Sequence, residues 1–145
     1  MRICVNSLFC FYIKSRLITR TFTLGRSERL KSRKLIDRVF REGKSFSLFP
    51  FRVYYLFVEP GAPALLQAGF GASRRNFKRA VDRNRIKRLT REAYRINKQE
   101  LFLRLQEKQR PLALFFIYTG KELPDHRMVT EKIGVALQKL VKETG

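Results

Sequence analysis

Residues 73–95, SRRNFKRAVDRNRIKRLTREAYR, constrain this chain more than any other stretch. Arg74, Arg75, Lys78, Arg79, Arg83, Arg85, Lys87, Arg88, Arg91 and Arg95 are opposed there only by Asp82 and Glu92. At about 100° per residue from Arg83, Lys87, Arg91, Asn84, Arg95 and Arg88 fall within about 140° on one side of a helix. Leu89, Ala93, Ile86 and Ile96 gather on the other, between about 220° and 300°. One face is suited to burial and the other to a polyanion, with Asn84 amid the cations as both donor and acceptor. An ordinary solvated helix relieves like-charge repulsion with Glu at i±4. Arg83, Lys87 and Arg91 stack at i, i+4 and i+8 without that relief, which favours nucleic acid.

The whole chain agrees. Its 145 residues fit one domain, and a net charge of +20 exceeds what solubility requires. Membrane lipid is the rival polyanion, but no apolar run approaches the ~20 residues of a spanning helix. Cys4 and Cys10 are the only cysteines and no CxxC or Cys/His ligand set exists. A zinc site and a stapled secreted fold are therefore disfavoured, and a reducing cytoplasm is the expected compartment.

Residues 1–24 hold an apolar patch followed by Lys14, Arg16 and Arg20. They read as a disordered extension or a start codon placed too far upstream, because no small-residue cleavage site follows the patch. Residues 25–145 read as a single α/β domain. Ser32 is placed to cap a helix with Leu35, Ile36, Val39 and Phe40 on its apolar side, and Gly43 to stop it. Residues 51–58, FRVYYLFV, alternate as a strand, with Phe51, Val53, Tyr55 and Phe57 inward and Arg52 beside Tyr54 on the other face. A ring and a guanidinium side by side suit a single nucleic-acid strand, the ring for a base and Arg for phosphate. They suit an ordinary half-exposed strand equally well.

Residues 45–49 predict a short preceding strand and residues 64–73 a following one, where Gly69 and Gly71 leave room for another chain. The basic helix, with Asp82 as its expected cap, runs to about Asn97 and extends towards Leu101 and Leu105. Residues 112–118, LALFFIY, predict a buried central strand. A last helix from about Arg127 places Val129, Ile133, Ala136, Leu137, Leu140 and Val141 on one stripe. The sum is a mixed α/β sandwich with helices against a sheet.

Catalytic constellations are missing. His126 is the only histidine, no clustered Asp/Glu set suits a metal-dependent nuclease, and there is no Walker loop. The chain reads as a binder, which suits a non-catalytic RNA-binding or ribosome-associated protein and fits a protein-only nuclease poorly.

The hexapeptide Arg83-Asn84-Arg85-Ile86-Lys87-Arg88, followed by Arg91-Glu92, resembles the RNR motif of the bacterial ribonuclease P protein family. The likeness runs from about Arg29 to Lys142. Leu30 with Val39-Phe40 and Gly43 resembles the family's first helix, Phe51-Arg52-Val53-Tyr54 its sheet strand, and Ala68-Gly69 to Ser73-Arg74-Arg75 the approach to the motif. A general RNA-binding module accounts for the charge but not for this hexapeptide.

The resemblance implies an α-β-β-β-α-β-α order, ribosomal-protein-S5-domain-2-like, with a left-handed βαβ crossover that handedness rules alone would not predict. It implies a protein subunit that assists a catalytic RNA, one protein per RNA, in removing the 5′ leader of precursor tRNA. Mg²⁺ would be bound chiefly by the RNA. Arg83, Asn84, Arg85, Lys87, Arg88 and Arg91 would contact the catalytic RNA, flanked by Arg74, Arg75, Lys78 and Arg79. Phe40, Arg52, Tyr54 and Ile36 would form the leader cleft. Ile36 stands where the family often has an aromatic and Gly71 where it often has Ser. Residues 76–79 replace a shorter, Gly-containing link.

Overall fold

A computed structural model describes residues 23–145. The expectation for residues 1–24 therefore lies outside the described residues, except at Thr23 and Leu24. The elements are α1 (Arg33–Glu42), β1 (Lys44–Leu48), β2 (Phe51–Phe57), β3 (Leu66–Ala72), α2 (Ala80–Asn97), α3 (Gln99–Lys108), β4 (Leu112–Tyr118) and α4 (His126–Thr144). The strands form one sheet in the order β1-β2-β4-β3. β1 pairs antiparallel with β2 and β2 with β4, whereas β3 and β4 are parallel. The α2–α3 connection joins those parallel strands, where the resemblance implies the left-handed crossover.

Strand alternation divides the molecule into two cores. Phe51, Val53 and Tyr55 of β2, Leu112, Leu114, Phe116 and Tyr118 of β4, and Leu66 and Ala68 of β3 pack against α2, α3 and α4. The opposite face carries a smaller core of Leu30, Val39 and Ala113, with Ile36, Tyr54, Leu56 and Phe115 against it. β4 is apolar on both faces because it is the strand covered on both, as expected of a central strand.

Several expectations shift in detail. Ser32 does cap α1, its hydroxyl accepting from the Leu35 amide at 3.4 Å. Gly43 ends α1 in an extended conformation (φ −70°, ψ 154°), not the left-handed one. A Cβ there would run into the Val39 carbonyl and lie 2.8 Å from the Tyr55 carbonyl, so close approach is what requires glycine. Asp82 lies in the first turn of α2, Arg79 holds the cap position, and no side chain caps the helix. The carboxylate still suits the positive helix end.

The buried stripe of α2 is Ile86, Thr90, Ala93 and Tyr94, with Ile96 41% exposed. The stripe turns towards Arg83 because the large Tyr94 ring packs on Phe70 and Phe116, at centroid distances of 5.4 and 6.0 Å. Helical bonding continues across Lys98, from its amide to Tyr94 O at 2.9 Å and from the Phe102 amide to Lys98 O at 3.0 Å. The Lys98 side chain nevertheless turns inward and is 1% exposed. Its Nζ donates to the Thr23 carbonyl at 2.5 Å and to Glu28 Oε2 at 2.7 Å. The expected single helix is thus two segments, and their junction is tied to the irregular segment of residues 23–28.

Candidate nucleic-acid interface

Two surfaces gather the basic and aromatic residues singled out above. The first is the outer side of α2, where Asn84, Arg85, Arg88 and Arg91 are exposed and Lys87 half-buried. Among the described residues, no ion pair engages Arg85, Lys87, Arg88 or Arg91. Four unneutralised cations within three turns make a strong local field for phosphate. Val81, 76% exposed, lies with Asn84, Arg85, Arg88 and Leu89 around a shallow hollow.

Two basic residues of this helix, the expected contact Arg83 and its neighbour on the cationic face Arg95, differ from the rest. The Arg83 guanidinium folds back, its Nη1 donating to the Phe77 carbonyl at 2.8 Å and the Lys78 carbonyl at 2.7 Å. It closes the loop that leads into α2, at the inner edge of the cationic face. Arg95 bonds Glu92, Nη2 to Oε1 at 2.5 Å and Nε to Oε2 at 3.1 Å. That hydrogen bonding holds the Glu92 carboxyl below its usual range, although partial burial pulls the other way.

Arg74, Arg75, Lys78 and Arg79 are all exposed on the link between β3 and α2. Asn76 pins that link to the far end of the sheet, its Nδ2 donating to Thr119 O at 2.8 Å and Gly120 O at 3.1 Å. Phe77 is buried beside Tyr118, with ring centroids 5.9 Å apart. Asn76 and Phe77 thus anchor the link while its four cations stand outward.

The second surface is the half-open face of the sheet beside α1. The registers place Ser45, Tyr54, Phe115 and Gly69 in one cross-strand row, and Ser47, Arg52, Ile117 and Gly71 in the next. Phe40 of α1, 38% exposed, meets Tyr54 edge-on at 4.8 Å and Phe115 at 5.0 Å between centroids. The Arg52 guanidinium lies 5.3 Å from the Tyr54 ring centroid. Ile36 is half-buried against the small core and backs this cluster.

Phe115 was not among the expected site residues, because a strand apolar on both faces gives no period from which to choose an open side. Its ring also explains the two glycines. A Cβ on Gly69 would lie 2.5 Å from Phe115 Cδ2, and one on Gly71 3.1 Å from Cε1. The room expected for another chain is occupied by this ring.

Against that geometry, a model of the family described as Ribonuclease P matches residues 24–141. The chain belongs to the ribonuclease P protein family. It is 42% identical over 120 residues to the ribonuclease P protein component of Porphyromonas gingivalis, covering 83% of this chain and 88% of that one. It is 34% identical over 123 residues to the component from Chlorobium phaeobacteroides, covering 77% and 83%. The fold is similar to that of the Staphylococcus aureus RNase P protein, with a TM-score of 0.63 at 19% identity over 81% of this chain and 98% of that one. In this member of the ribonuclease P family the motif residues lie on α2, and Phe40, Arg52 and Tyr54 lie together on the opposite face of the sheet.

Proposed function

We propose that the chain is the protein subunit of ribonuclease P, binding the catalytic RNA and the 5′ leader of precursor tRNA while the RNA cleaves the leader away. The observation that carries this is the unneutralised outer face of α2, in a chain whose family membership covers the same residues. Asn84, Arg85, Lys87, Arg88 and Arg91 dock the folded RNA. Their charges lower the repulsion between phosphate strands brought close together, and the planar guanidinium groups hold phosphate oxygens in pairs. Arg83 acts mainly by holding the loop in front of the helix, which sets where Lys78 and Arg79 point.

The leader lies as an extended single strand on the half-open face of the sheet. Tyr54, braced by Phe40, offers a ring edge and face to a base, and Arg52 beside it reaches phosphate. Ile36 and Phe115 form the apolar wall behind them. One protein per RNA suffices for this arrangement.

Mg²⁺, in this account, is held chiefly by the RNA and supplies the activated water and charge stabilisation of metal-assisted hydrolysis. Among the described residues no three His, Cys, Asp or Glu side chains come together, so those residues offer no donor set for a resident divalent cation. The chain's part is to bind and orient. No helix among the described residues is long and apolar enough to cross a membrane. With two cysteines in the sequence and no CxxC or Cys/His spacing around them, we place the protein in the cytoplasm.

Reconstitution tests the proposal. Purified protein combined with the ribonuclease P RNA of the same genome should cleave a labelled precursor tRNA at low Mg²⁺, where RNA alone is slow and protein alone inactive. Tight, salt-sensitive RNA binding with no stimulation of cleavage would mean that the chain is a general RNA binder.

A further inference from the structure

The end of the sheet away from α1 carries a cavity of about 590 Å³ that neither surface above uses. One wall is Phe49 and Pro50 of the β1–β2 turn, and the other is the loop of residues 119–125 with Met128 of α4. Phe49 is 77% exposed, and Leu123 across the cavity is 45% exposed. Single apolar side chains on a surface are ordinary, but two that line one hollow form a patch. The hollow suits a flat apolar ligand with a polar edge.

The polar groups around it are mixed in sign. Lys121 and Lys132 stand beside Glu122 and Asp125. A site for phosphate alone would not hold two carboxylates. A nucleobase suits the mixture, because carboxylates accept from exocyclic amino groups while lysines meet the flanking phosphates. The exposed Arg74 and Arg75 stand next to the Asn76 that is pinned to Thr119 and Gly120, and Thr119 and Gly120 line the same cavity.

Position selects which nucleotide. Pro50 lies two residues before Arg52, just outside β2, and Thr119 two residues after Ile117, just outside β4, and both line the cavity. The Thr119 amide and hydroxyl both donate to the Pro50 carbonyl, at 2.8 and 2.9 Å, which joins the two walls at this edge. Tyr54 to Pro50 is about 13 Å of strand at about 3.3 Å per residue. A chain laid from Tyr54 past Arg52 therefore arrives at the cavity within a few nucleotides.

We infer that the cavity between Phe49 and Leu123 is a base-stacking subsite for an unpaired nucleotide of the 5′ leader, beyond those that cross Tyr54 and Arg52. The inference rests on the leader-binding role proposed for that face. Phe49 supplies the stacking surface, and Leu123 and Met128 close the other side. The subsite gives the protein a reason to distinguish long leaders from short ones.

Photocrosslinking in the reconstituted holoenzyme separates this inference from the role it rests on. Phe49 and Tyr54 are each replaced by p-benzoylphenylalanine in separate proteins, and precursor tRNA with a long leader is irradiated on each. Position 54 should label one leader nucleotide and position 49 another, and trimming the leader back to the first should abolish the second crosslink. In the same holoenzyme, Phe49→Ala should weaken long-leader precursor binding about tenfold, with Phe49→Trp retaining it. The difference between Phe49→Ala and the unaltered protein should vanish on the trimmed leader. If position 49 labels the catalytic RNA, a second protein copy or nothing while position 54 labels the leader, the subsite is wrong and the leader face stands. If neither position labels the leader, both fall.

Discussion

Arg83 and Arg88 lie five residues apart on one helix, yet the first is committed to its own protein and the second is exposed and, among the described residues, in no ion pair. Arg83 satisfies the Phe77 and Lys78 carbonyls. Arg83→Ala should therefore cost stability, about 1 kcal/mol for two partly exposed hydrogen bonds, as well as RNA affinity. Arg88→Ala should leave the urea midpoint within about 0.5 kcal/mol of the unaltered protein and weaken RNA binding alone. Equal stability of the two variants would contradict this division. The helical projection could not reveal it, because angle alone places Arg83 with the cations while the loop that it closes is a tertiary feature.

Tyr94 carries a polar atom into the core. Its hydroxyl is buried and, among the described residues, has no hydrogen-bond partner. Burial, and then the nearby Glu28 carboxylate, push its pKa well above the ordinary value near 10. A phenol whose folded pKa is raised favours the fold fully below about pH 10, and that contribution is lost as pH rises towards the folded value. Tyr94→Phe removes both the orphaned hydroxyl and the ionisation. It should stabilise the protein by about 1 kcal/mol at pH 7 and by more above pH 10, measured by urea unfolding at the two pH values. Destabilisation at pH 7 would show that the hydroxyl has a partner.

At the scale of elements, the junction of α2 and α3 is held by a buried charge. Lys98 is 1% exposed and Glu28, its partner, also accepts from the Gly25 amide at 2.9 Å. Glu28→Gln leaves the ammonium buried without its counter-charge and should cost about 3 kcal/mol. Combining it with Lys98→Met, which fills similar space without charge, should recover most of that loss in thermal unfolding. An unchanged midpoint for Glu28→Gln would remove the tether from the account. Composition does not announce this pair, since a lysine in so basic a chain reads as solvated.

The sheet tells a similar story. β4 was legible to its ends because seven consecutive apolar residues admit little else, and the inward positions of β2 follow from alternation. What filled the space over Gly69 was not legible, because it depends on β3 lying in parallel register beside Phe115. Gly69→Ala should force that ring to move, costing about 1–3 kcal/mol and disturbing the contact of Phe115 with Phe40.

For the molecule as a whole, the net charge of +20 predicts how binding responds to salt. The logarithm of the RNA binding constant should fall linearly with that of salt concentration, by about 0.7 per phosphate neutralised on a single strand and about 0.9 on a duplex. Arg88→Ala should flatten the slope by about one phosphate's worth. The two surfaces were legible as patterns on separate segments, a cationic helix and an Arg/Tyr strand. Their placement on opposite sides of one sheet came only with the topology, as did the cavity at the sheet's end, whose walls come from segments nearly seventy residues apart (Pro50 to Thr119).

The role proposed for the outer face of α2 is to dock the catalytic RNA productively. The most direct test is the Mg²⁺ dependence of precursor tRNA cleavage by holoenzyme reconstituted with Arg85→Ala/Arg88→Ala, beside the unaltered protein. The double variant should fold normally but need more Mg²⁺ to reach half-maximal cleavage, the curves converging at high Mg²⁺. Superimposable curves, with the variant demonstrably folded, would contradict it.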